Sequence, residues 1–412
     1  MDIQEFYETF PYPPRDPSAP VPAPAVPSDF VTVNHYVFGG RWSRSVLFRV
    51  LVAGCGTGLA STAFAGQLVK LGVPFSMLCI DVSETSLGIA RGRAEGAGLS
   101  KTMEFQRRGI ETLEAEADGS FDYIDLTGVV NHVEDPAKIL AFLSHVLAEP
   151  GGIGVMAYGR LGRTGIYPIQ DALARLGLTT KDDIPAARVL LRTLPETNWF
   201  RQNTILAYSD KISDVEFADR FFNPRDRAFS VRDLGQLFGG VGFELRAFLP
   251  PIVYDPRAIL SGEDLRRRAG SLSRLEQWHL AEQLQGSLNK HTFYAIRSKG
   301  PSQGQIDYTE PDYRAVIQDP SRRHLASALQ GLESKRISIA FDHNSRQRSM
   351  SLDLSVLEVE ILSRLNDGDR FGEIRERFSR LEPLVVNAAI ERVCRALTAV
   401  GVLHLEISPY RT

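Results

Sequence analysis

The chain has 412 residues, and at about 150 residues per domain this length predicts two or three domains with a buried core. Its 47 basic and 50 acidic residues leave a net charge of -3, which excludes a bulk positive field for nucleic acid, although a local basic patch stays open. The three cysteines, Cys55, Cys79 and Cys394, are too few and too scattered for a disulfide framework or a closed zinc site. We therefore expect a reduced, cytoplasmic protein without a metal centre.

Residues 1–45 are predicted to form an N-terminal lid or docking segment. They contain no basic stretch followed by an apolar one, so neither a signal peptide nor membrane insertion is expected. Residues 11–27 include eight prolines, which cannot donate to a backbone ladder and favour extended, polyproline-like chain. A loose linker is one interpretation. The aromatic residues Tyr7, Phe10 and Tyr12 instead favour a segment that docks on the rest of the protein.

From Val46 onward, strand-like and helix-like runs alternate, which predicts βαβ units in a doubly wound, Rossmann-like α/β fold. The predicted strands lie at 46–53, 75–80, 103–107, 121–126 and 153–158, and the predicted helices at 59–71, 84–97 and 136–147. Residues 161–230 are more polar and are expected to form helices and loops. The domain, residues 46–299, is completed by a helix and strand over 231–248, a helical stretch over 265–288 and a strand over 291–297.

A second, smaller domain is predicted at residues 305–412, after a linker at 300–304. Apolar residues at helical spacing indicate three helices, and a terminal strand follows at 401–405, which together favour a winged-helix-like domain. Such a domain has a strand edge and a groove that can hold an extended peptide. The alternatives are a helical cap on the sheet, a dimer surface and DNA binding, and the neutral charge balance argues against DNA.

The sharpest motif follows the first predicted strand, where residues 50–58 read Val-Leu-Val-Ala-Gly-Cys-Gly-Thr-Gly. Three alternate glycines let the backbone turn tightly and bring a ligand against bare N–H groups at a helix N-terminus. The third glycine comes too early for a dinucleotide fingerprint, and the Lys-Ser/Thr pair of a phosphate loop is absent. Asp81 ends the second strand, where an acidic side chain can accept hydrogen bonds from both hydroxyls of a ribose. A cap on the following helix is the alternative role.

Taken together, these motifs resemble class I S-adenosylmethionine-dependent methyltransferases. The likeness covers residues 46–160. It rests, in the expected chain order, on the glycine loop, Asp81, Phe-Asp-Tyr-Ile at 121–124 leading into 127–136, and the turn at 147–152. Protein lysine methyltransferases that modify bacterial outer-membrane proteins are similar in further stretches: 86–91, 128–136, 158–167 and the N-terminal Phe-Pro-Tyr-Pro-Pro-Arg at 10–15.

The resemblance implies S-adenosylmethionine as the cofactor. The residues that it implies for binding belong to the glycine loop, the neighbouring strand ends and the adenine-contacting turn: Gly54, Cys55, Gly56, Thr57, Gly58, Asp81, Val82, Gly109, Ile110 and Thr127. The subfamily often has an acidic residue in the adenine-contacting turn, where this chain has Arg-Gly-Ile at 108–110. Adenine is therefore expected to contact the backbone around Gly109 and Ile110.

The resemblance also implies an in-line displacement by a neutral nucleophile, so a lysine acceptor has to lose its proton or be desolvated. The candidate catalytic residues are His132, Asn131, Tyr158 and Tyr12. His132 and Asn131 follow the fourth strand, at the edge where open α/β sheets bind ligands, and the subfamily often has His-His there. Tyr158 ends the fifth strand, and Tyr12 belongs to the predicted lid. Ordinary packing is the alternative for the first three, and simple docking on the surface is the alternative for Tyr12.

The sequence therefore predicts a two-domain enzyme that transfers a methyl group from S-adenosylmethionine to a side chain of a protein or peptide, with lysine as a candidate acceptor. Two alternatives stay open: methylation of a small metabolite, and a non-catalytic scaffold that only binds the cofactor. The expected partner is a protein or peptide substrate, without nucleic acid or membrane insertion. A homodimer is one option for its assembly.

Overall fold

The computed structural model of the chain describes residues 2–206, 212–298, 305–330, 335–343 and 346–407. The linker predicted at 300–304 therefore lies outside the described residues. Within the described ranges, no helix combines the length and the apolar composition that crossing a membrane requires.

A seven-stranded sheet forms the centre of the larger domain. Its strands are β1 (Phe48–Ala53), β2 (Phe75–Asp81), β3 (Met103–Arg107), β4 (Phe121–Thr127), β5 (Leu147–Tyr158), β6 (Phe243–Phe248) and β7 (Lys290–Arg297). They lie in the order β3-β2-β1-β4-β5-β7-β6, with the first five parallel and β7 antiparallel to both of its neighbours. The expected Rossmann-like sheet is confirmed, and the reversed β7 makes it a mixed sheet.

Helices cover both faces of the sheet because each strand points alternate side chains to opposite sides. The helices of this domain and of the segment before it are α1 (Ile3–Thr9), α2 (Phe30–Phe38), α3 (Leu59–Leu71), α4 (Glu84–Gly96), α5 (Ala115–Asp118), α6 (Pro136–Val146), α7 (Ile166–Arg175), α8 (Ile184–Thr193), α9 (Trp199–Gln202), α10 (Asp214–Phe221), α11 (Val231–Gly240), α12 (Glu263–Gly270) and α13 (Arg274–Gln285). In β1, Val50 and Val52 pack towards α2 and α3, whereas Leu51 and Ala53 pack towards α6 and α11.

The helical stretch expected over 265–288 is interrupted. It forms α12 and α13 with a break between them, because Gly270 ends the first helix and the side chain of Ser273 caps the second by accepting from the amide of Glu276 (3.4 Å).

Helix α2 is part of the core. Eight of its nine residues are buried, and Phe30, Val33 and Val37 pack against the sheet. Asp29 caps the helix by accepting a hydrogen bond from the amide of Thr32 (2.8 Å). The lid predicted over residues 1–45 is therefore too long. It includes α2, which belongs to the core of the larger domain and covers one face of the sheet.

The N-terminal strap, residues 2–16, lies docked on the larger domain. It begins with α1, which Asp2 caps through the amide of Glu5 (2.8 Å). Phe6 and Phe10 are 1% and 2% exposed and pack in one apolar cluster with the helical insertion, α7 to α10. Burial of two aromatic side chains stabilises this docked arrangement.

The smaller domain has a core of its own. Its elements are β8 (Tyr313–Ile317), α14 (Ser321–Ala328), β9 (Lys335–His343), β10 (Arg346–Leu354), α15 (Val356–Asp367), α16 (Phe371–Arg377), α17 (Pro383–Ala399) and β11 (Leu403–Ile407). β9 and β10 form a hairpin, and β11 pairs with β8 antiparallel. The expected second domain is thus present: α15, α16, α17 and β11 correspond to the three helices and the terminal strand predicted for it. The elements β8, α14, β9 and β10 were not predicted.

The smaller domain packs on α2 and the loop after it. The amide of Leu405 donates to Nδ1 of His35 (2.9 Å), and the hydroxyl of Tyr313 donates to the carbonyl of Gly39 (2.5 Å). An ion pair joins Arg44 to Glu406 (2.8 Å). These contacts fix the smaller domain against the core helix of the larger one.

Candidate active site

A cavity of about 1260 Å³ lies at the carboxyl edge of the sheet. The ends of β1, β2, β4 and β5 form its floor, as expected for an open α/β sheet. The strap covers one side, and the helical insertion contributes the wall at the other end. Of the residues that the structure describes, none beyond Lys290 lines it, so the smaller domain does not contribute to the cavity wall.

The glycine loop forms a tight turn at the end of β1. Gly54, Gly56 and Gly58 have φ angles of 84°, 51° and 77°, in the left-handed region that favours glycine. The amides of Gly54 and Cys55 both donate to the carbonyl of Ile80 (2.9 and 3.0 Å), which ties the loop to β2. Gly54, Cys55 and Gly56 line the cavity, whereas Gly58 begins α3 as its N-cap.

Asp81 lies at the centre of this end of the cavity. Its carboxylate accepts from the amide of Gly56 (2.8 Å) and from the amide of Ser83 (3.0 Å). Burial raises the pKa of Asp81. Because an ionised carboxylate has about four acceptor positions, each oxygen can accept one further hydrogen bond.

The remaining residues predicted for cofactor binding also meet here. Val82, Gly109, Ile110 and Thr127 line the cavity. So does Glu111, whose carboxylate folds back over Gly109. Glu111 was not predicted, because the motif recognised in this turn covers only residues 108–110. An adenosyl cofactor fits this arrangement. It combines a glycine turn at a helix start, a carboxylate that can accept hydrogen bonds from ribose hydroxyls, and a polar turn beyond it.

The strap holds down the glycine loop. The amide of Thr57 donates to the carbonyl of Tyr12 (2.9 Å), and its hydroxyl donates to the carbonyl of Pro13 (2.9 Å). A Cβ atom added at Gly56 would collide with the same Tyr12 carbonyl. Thr57 does not line the cavity and serves instead as the anchor for the strap.

A second anchor lies at the start of α4. The carboxylate of Glu8 accepts from the amides of Glu84 (2.8 Å) and Thr85 (3.0 Å). Hydrogen bonds from Thr85, first of all from its hydroxyl, lower the pKa of Glu8 to about 2. The strap is thus bound at both of the turns that enclose the cofactor end of the cavity.

The other end of the cavity contains His132 and Tyr158. The ring of His132 meets the ring of Tyr158 edge to face, at 5.5 Å between centroids, and that of Tyr7 at 6.1 Å. Its Nδ1 lies 2.7 Å from the carbonyl of Arg225. A carbonyl oxygen only accepts, so Nδ1 carries the hydrogen and the Nε2 of the neutral ring carries a lone pair.

Asp219 is the buried carboxylate at this end. It lies on α10, is 7% exposed and lines the cavity. The hydroxyls of Tyr7 and Tyr158 each donate to it, at 3.3 Å. Burial raises the pKa of both tyrosines, and the negative charge of Asp219 raises it further. Nothing in the sequence pattern around Asp219 distinguished it from other acidic residues of the polar stretch 161–230.

The wall behind Tyr158 is formed by a buried ion pair. Arg163 pairs with Asp226 and lies over the ring of Tyr158, with its guanidinium carbon 4.0 Å from the centroid. Arg163 therefore pairs with Asp226, whereas the hydrogen bonds that Asp219 accepts come from Tyr7, Tyr158 and Asn223.

Two further predicted catalytic residues differ in their surroundings. Tyr12 lines the cavity from the strap and is 37% exposed, and burial of its hydroxyl raises the pKa of Tyr12 to about 12. Asn131 is fully buried and does not line the cavity; its amide donates to the carbonyl of Arg227 (2.6 Å). The segment 225–227 therefore accepts hydrogen bonds from both Asn131 and His132.

The larger domain matches a known family. Residues 45–183 match the family described as Methyltransferase domain. A protein of uncharacterized function from Synechococcus sp. is 28% identical over 356 residues, which cover 85% of this chain and 82% of that protein. The ubiquinone biosynthesis O-methyltransferase of Azotobacter vinelandii is 32% identical over 104 residues, 25% of this chain and 41% of that enzyme.

The fold is also similar to a solved structure over nearly the whole chain. PKMT2 from Rickettsia typhi, in complex with AdoHcy, superposes with a TM-score of 0.63 at 17% identity, covering 97% of this chain and 78% of that one. The expected cofactor, S-adenosylmethionine, is confirmed by the family match. Residues 45–183 therefore form a class I S-adenosylmethionine-dependent methyltransferase domain, and the fold of the chain resembles that of PKMT2.

Proposed function

We propose that this enzyme transfers a methyl group to a side-chain nitrogen of a protein, with the ε-amino group of lysine as the acceptor. The observation that carries the proposal is the orientation of His132 at the end of the cavity away from Asp81. Because its Nδ1 donates to the carbonyl of Arg225 (2.7 Å), its Nε2 is available to take a proton from a substrate.

Removal of that proton is the step for which this chain must provide a group. S-adenosylmethionine, when bound, supplies a methyl group on a positively charged sulfur. A lysine amine has an ordinary pKa of about 10.4 and is protonated at neutral pH, so it must lose a proton before its nitrogen can attack. His132 is the residue that we assign to this role, and the rings of Tyr7 and Tyr158 enclose the space beside it.

Positioning is the other contribution of the protein. Asp81 and the glycine loop hold the adenosyl part at one end, while the residues around His132 hold the acceptor at the other. Alignment of two reactants can lower a barrier by about 7–11 kcal/mol, so a displacement of this type needs no covalent intermediate with the enzyme. The strap lies over one side of the cavity and is held there by its contacts with Thr57 and α4.

A protein acceptor is supported by the extent of the likeness to PKMT2, which covers 97% of this chain and thus includes the insertion and the smaller domain. The likeness to the ubiquinone enzymes covers about a quarter of the chain, the part that binds the cofactor. Peptide holding by the smaller domain remains part of our proposal, at a surface away from the cavity wall. Methylation of a small hydroxyl-bearing metabolite is the second candidate, favoured by the ubiquinone enzymes alone.

The test compares methylated proteins in cells that contain or lack this chain. Intact-mass and fragmentation analysis should find methylated lysine only in cells with the active enzyme, and cells with His132→Gln should resemble cells without it. Methyl groups on a free metabolite, with no protein methylation, would establish the second candidate and contradict the proposal.

A further inference from the structure

Asp219 is a buried carboxylate that the cofactor does not require, and it lies at the acceptor end of the cavity. We infer that Asp219 binds the acceptor as an ammonium ion and thereby selects a nitrogen acceptor over an oxygen acceptor. This inference rests on the proposed function and specifies the part of the site that recognises the substrate.

The hydrogen bonds around Asp219 have a defined direction. The hydroxyls of Tyr7 and Tyr158 donate to its two oxygens, at 3.3 Å each. The side-chain amide of Asn223 donates to the hydroxyl oxygen of Tyr7 (3.1 Å) and more weakly to Asp219 (3.4 Å). These three hydrogen-bond partners are neutral, and the charged neighbour of Asp219 is Arg220, the next residue of α10, which also lines the cavity.

The oxygen atoms of Asp219, Tyr7 and Tyr158 together form a group of hydrogen-bond acceptors. Both tyrosine hydrogens point at Asp219, so the oxygens of Tyr7 and Tyr158 present lone pairs in other directions. The carboxylate itself has about four acceptor positions and retains capacity for another donor. An ammonium group has three donors and no acceptor, whereas a hydroxyl has a single donor, so this site matches an ammonium group better.

The surroundings of Asp219 combine aromatic rings with two arginines. Tyr7, Tyr158 and His132 meet edge to face around the same part of the cavity. Arg163 already covers one face of the Tyr158 ring (4.0 Å) and Arg220 also lines the cavity, so the Asp219 carboxylate is the group that attracts a cation here. Tyr7 belongs to the strap, so this group of acceptors is complete only when the strap is docked.

Binding as ammonium and reaction as amine are compatible because a base lies nearby. The bound ammonium gives one proton to Nε2 of His132, and the neutral nitrogen then forms its bond to the methyl carbon. The bond from carbon to sulfur breaks and its electron pair stays on sulfur, so the products are S-adenosylhomocysteine and a methylated ammonium group. The proton on His132 passes to solvent, and charge balances. Asp219 stabilises the ammonium before and after the transfer.

The test uses Asp219→Asn, which keeps the shape of the side chain and removes its charge. The matched control is Asp214→Asn, the same change on the same helix, outside the cavity, at an exposed residue paired with Arg188. With poly-L-lysine as methyl acceptor, Asp219→Asn should raise KM by about tenfold to a hundredfold, the loss expected for one charged hydrogen bond. Affinity for S-adenosylhomocysteine should not change, and Asp214→Asn should behave as wild type.

A binding measurement distinguishes this inference from the proposed function. n-Butylammonium, titrated into wild-type protein saturated with S-adenosylhomocysteine, should bind at least about tenfold more tightly than n-butanol, and Asp219→Asn should abolish the difference. Equal affinities in the wild type, or an unchanged preference in the variant, would overturn the role of Asp219. If poly-L-lysine is not methylated although n-butylammonium binds as expected, the proposed function fails and the ammonium site stands. The wild-type comparison remains decisive if the variant does not fold.

Discussion

The two ends of the cavity are built in different ways. At the cofactor end, the glycine loop (residues 54–58) presents mainly backbone groups beside the carboxylate of Asp81, and all of them lie within the range 45–183 that matches the methyltransferase family. At the acceptor end, Tyr7 and Asp219 meet although they are 212 residues apart, and both lie outside that range. The cofactor end thus lies wholly within the matched range, whereas the other end combines His132 and Tyr158 from that range with residues of the strap and the insertion.

The difference between the two ends is testable because each should affect a different kinetic quantity. Changes at the cofactor end should alter the affinity for S-adenosylmethionine, and changes at the acceptor end should alter turnover or the KM of the acceptor.

The largest effect is expected at His132. His132→Gln removes the base, so kcat should fall by about 10²- to 10⁴-fold while the affinity for S-adenosylmethionine stays the same. Steady-state kinetics and calorimetry measure the two quantities. His145→Gln, at an exposed position on α6, is the control and should behave as wild type. Undiminished turnover in His132→Gln would remove this residue from the mechanism.

The next effect separates the cofactor end. Asp81→Asn removes a charged acceptor for the ribose, so calorimetry should show the affinity for S-adenosylmethionine reduced by about tenfold to a hundredfold. Asp122→Asn serves as the control because Asp122 accepts from the amide of Arg49 (2.8 Å) at the start of β4, and the cavity begins at the other end of that strand. Unchanged binding in a folded Asp81→Asn protein would contradict the assignment.

A third prediction concerns the domain interface, which is separate from both ends of the cavity. Burial lowers the pKa of His35 and of His404, and His35 accepts from the amide of Leu405 (2.9 Å). Both are neutral in the folded protein, so unfolding takes up protons once the pH is below about 6.5, the ordinary value for histidine. Stability is thus fully present above that pH and should fall by up to about 1.4 kcal/mol per pH unit for each histidine below it.

Denaturant titrations at several pH values measure this effect. In His35→Asn, the side-chain oxygen can accept the same hydrogen bond but does not titrate, so the loss of unfolding free energy at acid pH should be smaller than in the wild type. The same acid slope in both proteins would show that His35 does not contribute.

The smallest effect is expected at the anchor of the strap. Glu8→Ala removes the carboxylate that caps α4, and a lost cap of this kind should speed dissociation of S-adenosylmethionine by about fivefold. Glu5→Ala, which affects only the capping box of α1, is the control. Stopped-flow measurements that give equal rates for the two variants would indicate that the contact with α4 does not hold the strap closed.

The sequence was sufficient to predict the cofactor end because its signals are local. A buried strand, alternate glycines and an acidic residue at the end of the next strand depend on neighbouring residues and on the geometry of parallel strands. The roles of individual residues within that motif could not be predicted from the sequence. Thr57 and Gly58 do not line the cavity: Thr57 anchors the strap, and Gly58 begins α3.

The acceptor end could not be predicted in the same way. Asp219 lies in a polar stretch without a distinguishing pattern, and only the folded insertion brings it to Tyr7 and Tyr158. Helix α2 was missed because its sequence, Phe-Val-Thr-Val-Asn-His-Tyr-Val-Phe, is rich in residues that favour strands, and it is buried on almost every side. Long-range packing therefore decided both features.

The most direct test of the two-ended site is a crystal structure of the full chain with S-adenosylhomocysteine and n-butylammonium. We expect the ribose hydroxyls within hydrogen-bond distance of Asp81, and the ammonium nitrogen between Asp219 and His132, facing the sulfur. A nitrogen bound elsewhere, or an adenosyl group that does not contact Asp81, would contradict the account.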